Sequence, residues 1–225
     1  MKQFNFLPLT AALAICVFAT PLFAKEQELP EVTEEGLHRI HDSEMALVYA
    51  EPEADLSIYD QVLLVEAYVA FKKDWARKQR SKSADPLSVN SRDMENIKTQ
   101  LAEEFDEVFR TQLEGAGYKV TDTTGESVLL VRPAIINLDV NAPDTPRAGR
   151  GHSYTSSAGE MTLYLELFDS VTGDLIAKAL DRRVDNAYNG FYTWTNSVTN
   201  KAAAQRILKG WADILVNALD EAHGK

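Results

Sequence analysis

The amino-acid sequence predicts an α+β fold: a mixed, mostly antiparallel sheet of about four to five strands with two long helices packed on one face. Three observations carry this. Two segments, near 92–114 and 198–222, repeat apolar residues at helical spacing. Segments near 61–71, 128–140 and 161–167 alternate, or are apolar on both faces, as strands are. The order is strand, helix, a meander of strands, then helix.

The elements follow in chain order. Residues 1–24 carry Lys2, then an uncharged apolar run from Phe6 to Phe23 that ends at Ala24 before Lys25. That pattern reads as a secretory signal peptide cleaved near Ala24, with Pro21 breaking the run near its end. Residues 25–33 form a polar, flexible leader, and residues 34–225 a single α+β domain. Gly36–Ala50 holds scattered apolar groups, and Pro52–Asp60 a turn or short helix. A central strand runs from Gln61 to about Phe71, with Glu66 interrupting its otherwise apolar second face. Residues 76–90 form a polar loop.

The first long helix spans about Arg92–Glu114, with Asn90 or Ser91 as N-cap. Met94, Ile97, Leu101, Phe105, Val108, Phe109 and Leu113 form its apolar stripe, and Gly115 and Gly117 end it. Tyr118–Thr121 is a short strand and Val128–Val140 a longer one. Pro133 cannot donate a ladder hydrogen bond, which places that strand at an edge or at a bulge. A Pro-, Gly- and Ser-rich loop covers 141–159. Met161–Leu167 then alternates into a hairpin turn at Asp169–Asp174, with Gly173 suited to a positive φ. Residues 185–197 are irregular and aromatic. The last helix, about Val198–Ala222, buries Ala204, Ile207, Leu208, Trp211, Ile214, Leu215 and Ala218, and tolerates Gly210 at about 1 kcal/mol against alanine.

Composition narrows the function classes. The lone cysteine, Cys16, lies within the signal segment. The mature chain therefore has no disulfide, no thiolate nucleophile and no cysteine-ligated zinc. Lipidation at Cys16, giving an outer-membrane lipoprotein, is the alternative location, but Ile15 is not the small residue such processing wants. Without residues 1–24 the chain holds 22 basic and 34 acidic residues, a net charge of −12. Such a surface repels phosphate backbones, so nucleic acid is not an expected partner. The expected location is periplasmic or secreted, with no transmembrane span in the mature chain.

Four stretches carry a family resemblance. They are Gly36-Leu37 with the Glu53-Ala54-Asp55-Leu56 to Tyr59 turn, Trp75 after the first strand, and Gly117-Tyr118 after the first helix. The fourth joins the Glu166–Asp169 to Thr172-Gly173 hairpin with Trp211-Ala212. In this order they resemble a family of exported Gram-negative envelope proteins, the domain of unknown function numbered 3313. Many of its members are lipoproteins, a pattern from which Ile15 departs. The resemblance implies no activity, so no functional residue carries over. By fold analogy it suggests accessory subunits of envelope lipid-transport or assembly complexes.

No catalytic motif or cofactor fingerprint is present. His38 and His41 would share a helical face and could bind a metal with Asp42 or Glu44; otherwise they are exposed side chains. His152 lies near Ser153, Ser156 and Ser157, without the rigid third group that a catalytic pair needs. Glu66 would suit general-acid chemistry if buried, and otherwise faces solvent or an ion-pair partner. These groups keep a hydrolase or transferase as a distant alternative.

Two segments suit binding better. Between Lys72 and Lys82 stand six basic residues opposed by Asp74 alone, and Trp75, Arg77, Lys78, Arg80 and Lys82 are candidate contacts for anionic lipid, glycan phosphate or an acidic envelope protein. The alternative is a solvated loop whose Trp75 closes the core. Tyr188, Phe191, Tyr192 and Trp194 could stack on sugars or form a protein interface, or could pack beneath the last helix. The expectation is a non-enzymatic binding or accessory protein, with an oligomer compatible with it.

Overall fold

The computed structural model describes residues 29–82, 90–140, 153–155, 157–186, 193–195 and 197–225. The expected signal segment lies outside them. Ten strands and three helices occur in these residues: β1 His38–Ile40, β2 Leu47–Ala50, β3 Gln61–Leu64, β4 Tyr68–Phe71, α1 Trp75–Lys82, α2 Ser91–Gly115, β5 Lys119–Thr121, β6 Val128–Val140, β7 Ser153–Thr155, β8 Ser157–Asp169, β9 Leu175–Asn186, β10 Thr193–Thr195 and α3 Ser197–Ala222. The fold is α+β with a mixed sheet, but four to five strands is an undercount. One sheet has eight strands in the order β1-β2-β9-β8-β6-β3-β5, with β4 also paired to β6, and β7 and β10 form a separate ribbon.

The long helices form for the reasons the sequence suggests. Asn90 caps α2 in a reciprocal box: its side chain accepts from Asp93 N, while the Asp93 carboxylate accepts from Asn90 N, both at 3.0 Å. At the other end Gly117 adopts φ +94°, the left-handed turn that glycine makes without strain. The α2 stripe buries Leu101, Phe105, Phe109 and Leu113, and α3 buries Ile207, Leu208, Trp211, Leu215 and Leu219. Both meet one sheet face lined by Val62, Leu129, Val131, Ile135, Leu163 and Leu165. Phe105 and Phe109 stack with centroids 3.9 Å apart. The buried Glu104 ties the helices together, accepting from Lys201 Nζ at 2.7 Å and from Gln205.

The expected strand over 61–71 divides in two. β3 pairs in parallel with β6 as far as Leu64 opposite Val131, and β4 resumes with Tyr68 opposite Ala134. Pro133 lies at that gap while facing Leu165 of β8 on its other side. Strand β6 is therefore central rather than an edge, and its proline sits where the neighbouring chain makes no ladder bond. The bulge comes later, between Ile136 and Asp139, with Asn137 at φ 54°. The break also exposes Glu66. Residues 30–33, read as leader, are tied to the domain: Tyr49 Oη donates to Pro30 O at 2.8 Å, and Val32 bridges to His38. Among the described residues no helix is long and apolar enough to cross a membrane.

Candidate functional site

Trp75–Lys82 of the basic segment is a helix where a polar loop over 76–90 was expected; residues 83–89 lie outside the described residues. After β4 the chain turns at Asp74, which takes φ +64°, and Trp75 N closes the turn on Lys72 O at 3.0 Å. The helix α1 has almost no apolar stripe of its own. Two side chains one turn apart fix it to the sheet instead. Trp75 Nε1 donates to Val140 O at 3.2 Å and Gln79 Nε2 to the same oxygen at 3.1 Å. The indole also stacks on Phe71, centroids 4.2 Å apart.

This anchoring sorts the candidate residues. Trp75 is 2% exposed and holds the helix; it cannot itself touch a ligand. Arg77 points away from the sheet, its side chain 74% exposed, with Nη2 3.1 Å from Asp74. Lys73 and Lys78 are exposed. Arg80 and Lys82 occupy backbone positions within α1.

At the same end of the sheet an ion-pair cluster joins β4, β6, β8 and β9. Lys72 Nζ lies 2.6 Å from Glu160 and 3.7 Å from Asp139, and Arg182 also meets Glu160. The Lys72 ammonium holds the Glu160 carboxyl below the usual carboxylate range, against an opposing effect of burial and with help from Arg182. The bond to Glu160 in turn raises Lys72. Gly159 makes the close strand approach feasible: a Cβ there would lie 2.7 Å from the Asp139 carbonyl oxygen.

Residues 193–195 of the aromatic segment reach this end too. Val140 pairs with Gly159, and beyond that point β7 pairs with β10, setting Trp194 opposite Tyr154 and Thr193 opposite Thr155. The ribbon lies against β8 and α3. Tyr188, Phe191 and Tyr192 lie outside the described residues, as do His152 and Ser156. The sequence showed the basic and aromatic segments separately. That both lie at one end of the sheet depends on Val140 and Gly159 being partners, which composition does not reveal. The Tyr154 position opposite Trp194 was missed for the same reason.

The catalytic and metal candidates gain nothing from the fold. Glu66 is exposed rather than buried. His38 lies on a strand, which removes the helical face proposed for it with His41, and His41 Nε2 is 2.9 Å from Glu31. No group of three or more His, Cys, Asp or Glu among the described residues could hold a metal ion.

A buried polar cluster that sequence reasoning missed lies under α3. Asp181, 7% exposed, accepts from Trp211 Nε1 at 2.7 Å, Arg183 Nε at 2.9 Å and Ala46 N at 3.2 Å. With three donors satisfying its carboxylate, it is an anchor between sheet and helix rather than a reactive group.

No curated protein matches the chain. Solved structures similar to it include the PelC dodecamer from Paraburkholderia phytofirmans, at 11% identity over 75% of this chain and 95% of that one, TM-score 0.38. XCC0632 from Xanthomonas campestris is similar at 13% identity over 74% and 86%, TM-score 0.40. A minor lipoprotein from Acinetobacter baumannii is similar at 9% identity over 74% and 95%, TM-score 0.35. Scores this low carry no conclusion about function. The family evidence is stronger: the model for the protein of unknown function DUF3313 matches residues 34–215, and the chain belongs to that family.

Proposed function

We propose that this protein is an exported, envelope-associated binding or accessory protein without enzymatic activity, and that it binds through the end of the sheet where α1 and the β7–β10 ribbon lie. One observation carries the reading. Two segments far apart in sequence, one basic and one aromatic, reach the same end of the sheet through the pairing of Val140 with Gly159. A rigid base supports it, because Trp75 and Gln79 hold α1 by a shared carbonyl and leave Arg77 directed outward. A basic helix and a ribbon carrying aromatic residues at one end of the sheet suit an anionic partner with a flat or apolar component, such as an acidic envelope protein, a phosphate-bearing lipid or a glycan. The leader and family resemblance support a periplasmic location, with a lipid anchor at Cys16 as the alternative.

Crosslinking in intact cells, followed by mass spectrometry of the tagged protein, tests the reading. A reproducible envelope partner should be captured by the native chain and lost with Arg77→Glu plus Arg80→Glu, while circular dichroism shows the fold intact. Equal capture by the double variant would exclude α1 as the binding element.

A further inference from the structure

The two ends of the sheet carry opposite charge. Where β6 finishes, the Lys72–Lys82 segment holds six basic residues against Asp74; Lys72 turns to Glu160 and Asp139 and Arg77 lies by Asp74, while Lys73 and Arg77 are exposed. The opposite end is where β3, β5 and β6 begin and the β8–β9 hairpin turns. Exposed carboxylates crowd there: Glu51, Glu53 and Asp60 ahead of β3, Glu126 ahead of β6, and Asp174 in the hairpin. Backbone contacts make these loops neighbours. Glu51 N donates to Ile176 O at 2.8 Å, and Gly125 N to Ser170 Oγ at 3.1 Å. Two apolar side chains stand out among the carboxylates, Val171 at the hairpin tip, 59% exposed, and Ile58, 53% exposed. Lys119 and Lys225 offset only part of the negative charge at this end.

With a net charge of −11, two copies repel in most orientations. Basic end against basic end is unfavourable, and so is acidic end against acidic end. Head to tail is the arrangement that brings opposite charges together. We infer that copies of this chain associate in that way, the α1 end of one seated on the hairpin end of the next, with Val171 and Ile58 inside the contact. The inference rests on α1 being a docking surface, as proposed above. Such a heterologous contact leaves one basic and one acidic end free, so it propagates unless the rotation closes a ring. An anionic membrane is the rival occupant of the basic end. It leaves the acidic end unexplained, and Trp75, the side chain suited to enter a lipid interface, is held inside by Val140.

Sedimentation velocity on the purified exported protein tests this across concentration, at about 50 mM and about 500 mM salt. Association should appear at low salt and weaken about tenfold or more at high salt. Lys73→Glu with Arg77→Glu should leave a monomer. Glu53→Lys with Glu126→Lys and Asp174→Lys should do the same, with circular dichroism confirming that both variants are folded. Mixed in equal amounts, the two reversed variants should associate again, since each supplies the charge the other has lost. A native protein that stays monomeric at low salt overturns the inference. So does an oligomer that survives either reversal, or a monomer that binds phosphatidylglycerol vesicles through α1. If self-association fails while Arg77- and Arg80-dependent capture of another protein persists, the binding reading stands and this one falls.

Discussion

Replacing Asp181 is the sharpest test of how α3 is fixed to the sheet. The carboxylate sits on β9 and receives the Trp211 indole N–H, the Ala46 amide and the Arg183 guanidinium. Asp181→Ala leaves the buried Trp211 indole N–H without a partner, at about 1–3 kcal/mol, whereas Ala46 is exposed and its amide can turn to water. The Ala46 bond is the longer, at 3.2 Å against 2.7 Å, so its share belongs at the low end. Arg183 has a side chain 32% exposed and can turn to water, so its lost ion pair adds at most about 1 kcal/mol. The expected loss is about 3 kcal/mol. With a urea m-value of about 2 kcal/mol/M, the unfolding midpoint falls by about 1.5 M. Asp181→Asn keeps one acceptor and should lose about half as much. The cycle Asp181→Ala, Trp211→Phe isolates the bond itself, and its coupling should be about 1–2 kcal/mol. A midpoint shift below about 0.5 M for Asp181→Ala at unchanged m would refute the view that this carboxylate holds the helix.

Two further predictions concern the binding end and α3. Glu160 is held below the usual carboxylate range by Lys72, so its contribution to stability is present above the unfolded value of about 4.3 and is lost as pH falls through the folded one. Glu160→Gln should therefore melt lower than the native chain near neutrality, with the gap closing in acid; a gap that persists unchanged at about pH 3 would contradict the pairing. A Cβ at Gly210 would collide with the end of the Arg183 side chain, so Gly210→Ala should change stability little in the native chain yet gain about 1 kcal/mol in an Arg183→Ala background. Equal effects in both backgrounds would show that Arg183 does not require the glycine.

What the sequence made legible was periodic and long. The stripe from Met94 to Leu113, the alternation from Met161 to Leu167 and the turn at Gly173 each contain enough repeats to outvote local noise, and the structure has them in place. The misses share a physical origin: their stability comes from elsewhere in the chain. Strands β1 and β2 have three and four residues, too few for a period to show, and exist because β2 pairs with β9. Helix α1 reads as loop because Trp-Ala-Arg-Lys-Gln-Arg-Ser-Lys has no apolar stripe, and what fixes it is a carbonyl on residue 140. Gly210 looked like a tolerated cost, whereas its missing Cβ leaves space for Arg183.

The same dependence on distant partners governs where the candidate residues end up. Glu66 was the best acid candidate because a single continuous strand would have carried it into the sheet. Strand β6 instead meets two separate neighbours on one side, with Pro133 at their junction, and after Val65 N donates to Val131 O the chain between them, Glu66-Ala67, leaves the ladder. Glu66 lies outside the ladder and in water, not buried as the acid role would require. The register that puts Pro133 at the break thus withdraws the catalytic candidate. Further along β6, the bulge at Asn137 sets the last residues against Gly159, which places the Val140 carbonyl where Trp75 and Gln79 can reach it. One strand therefore leaves Glu66 in water and supplies the carbonyl that fixes the charged run as a helix on the sheet.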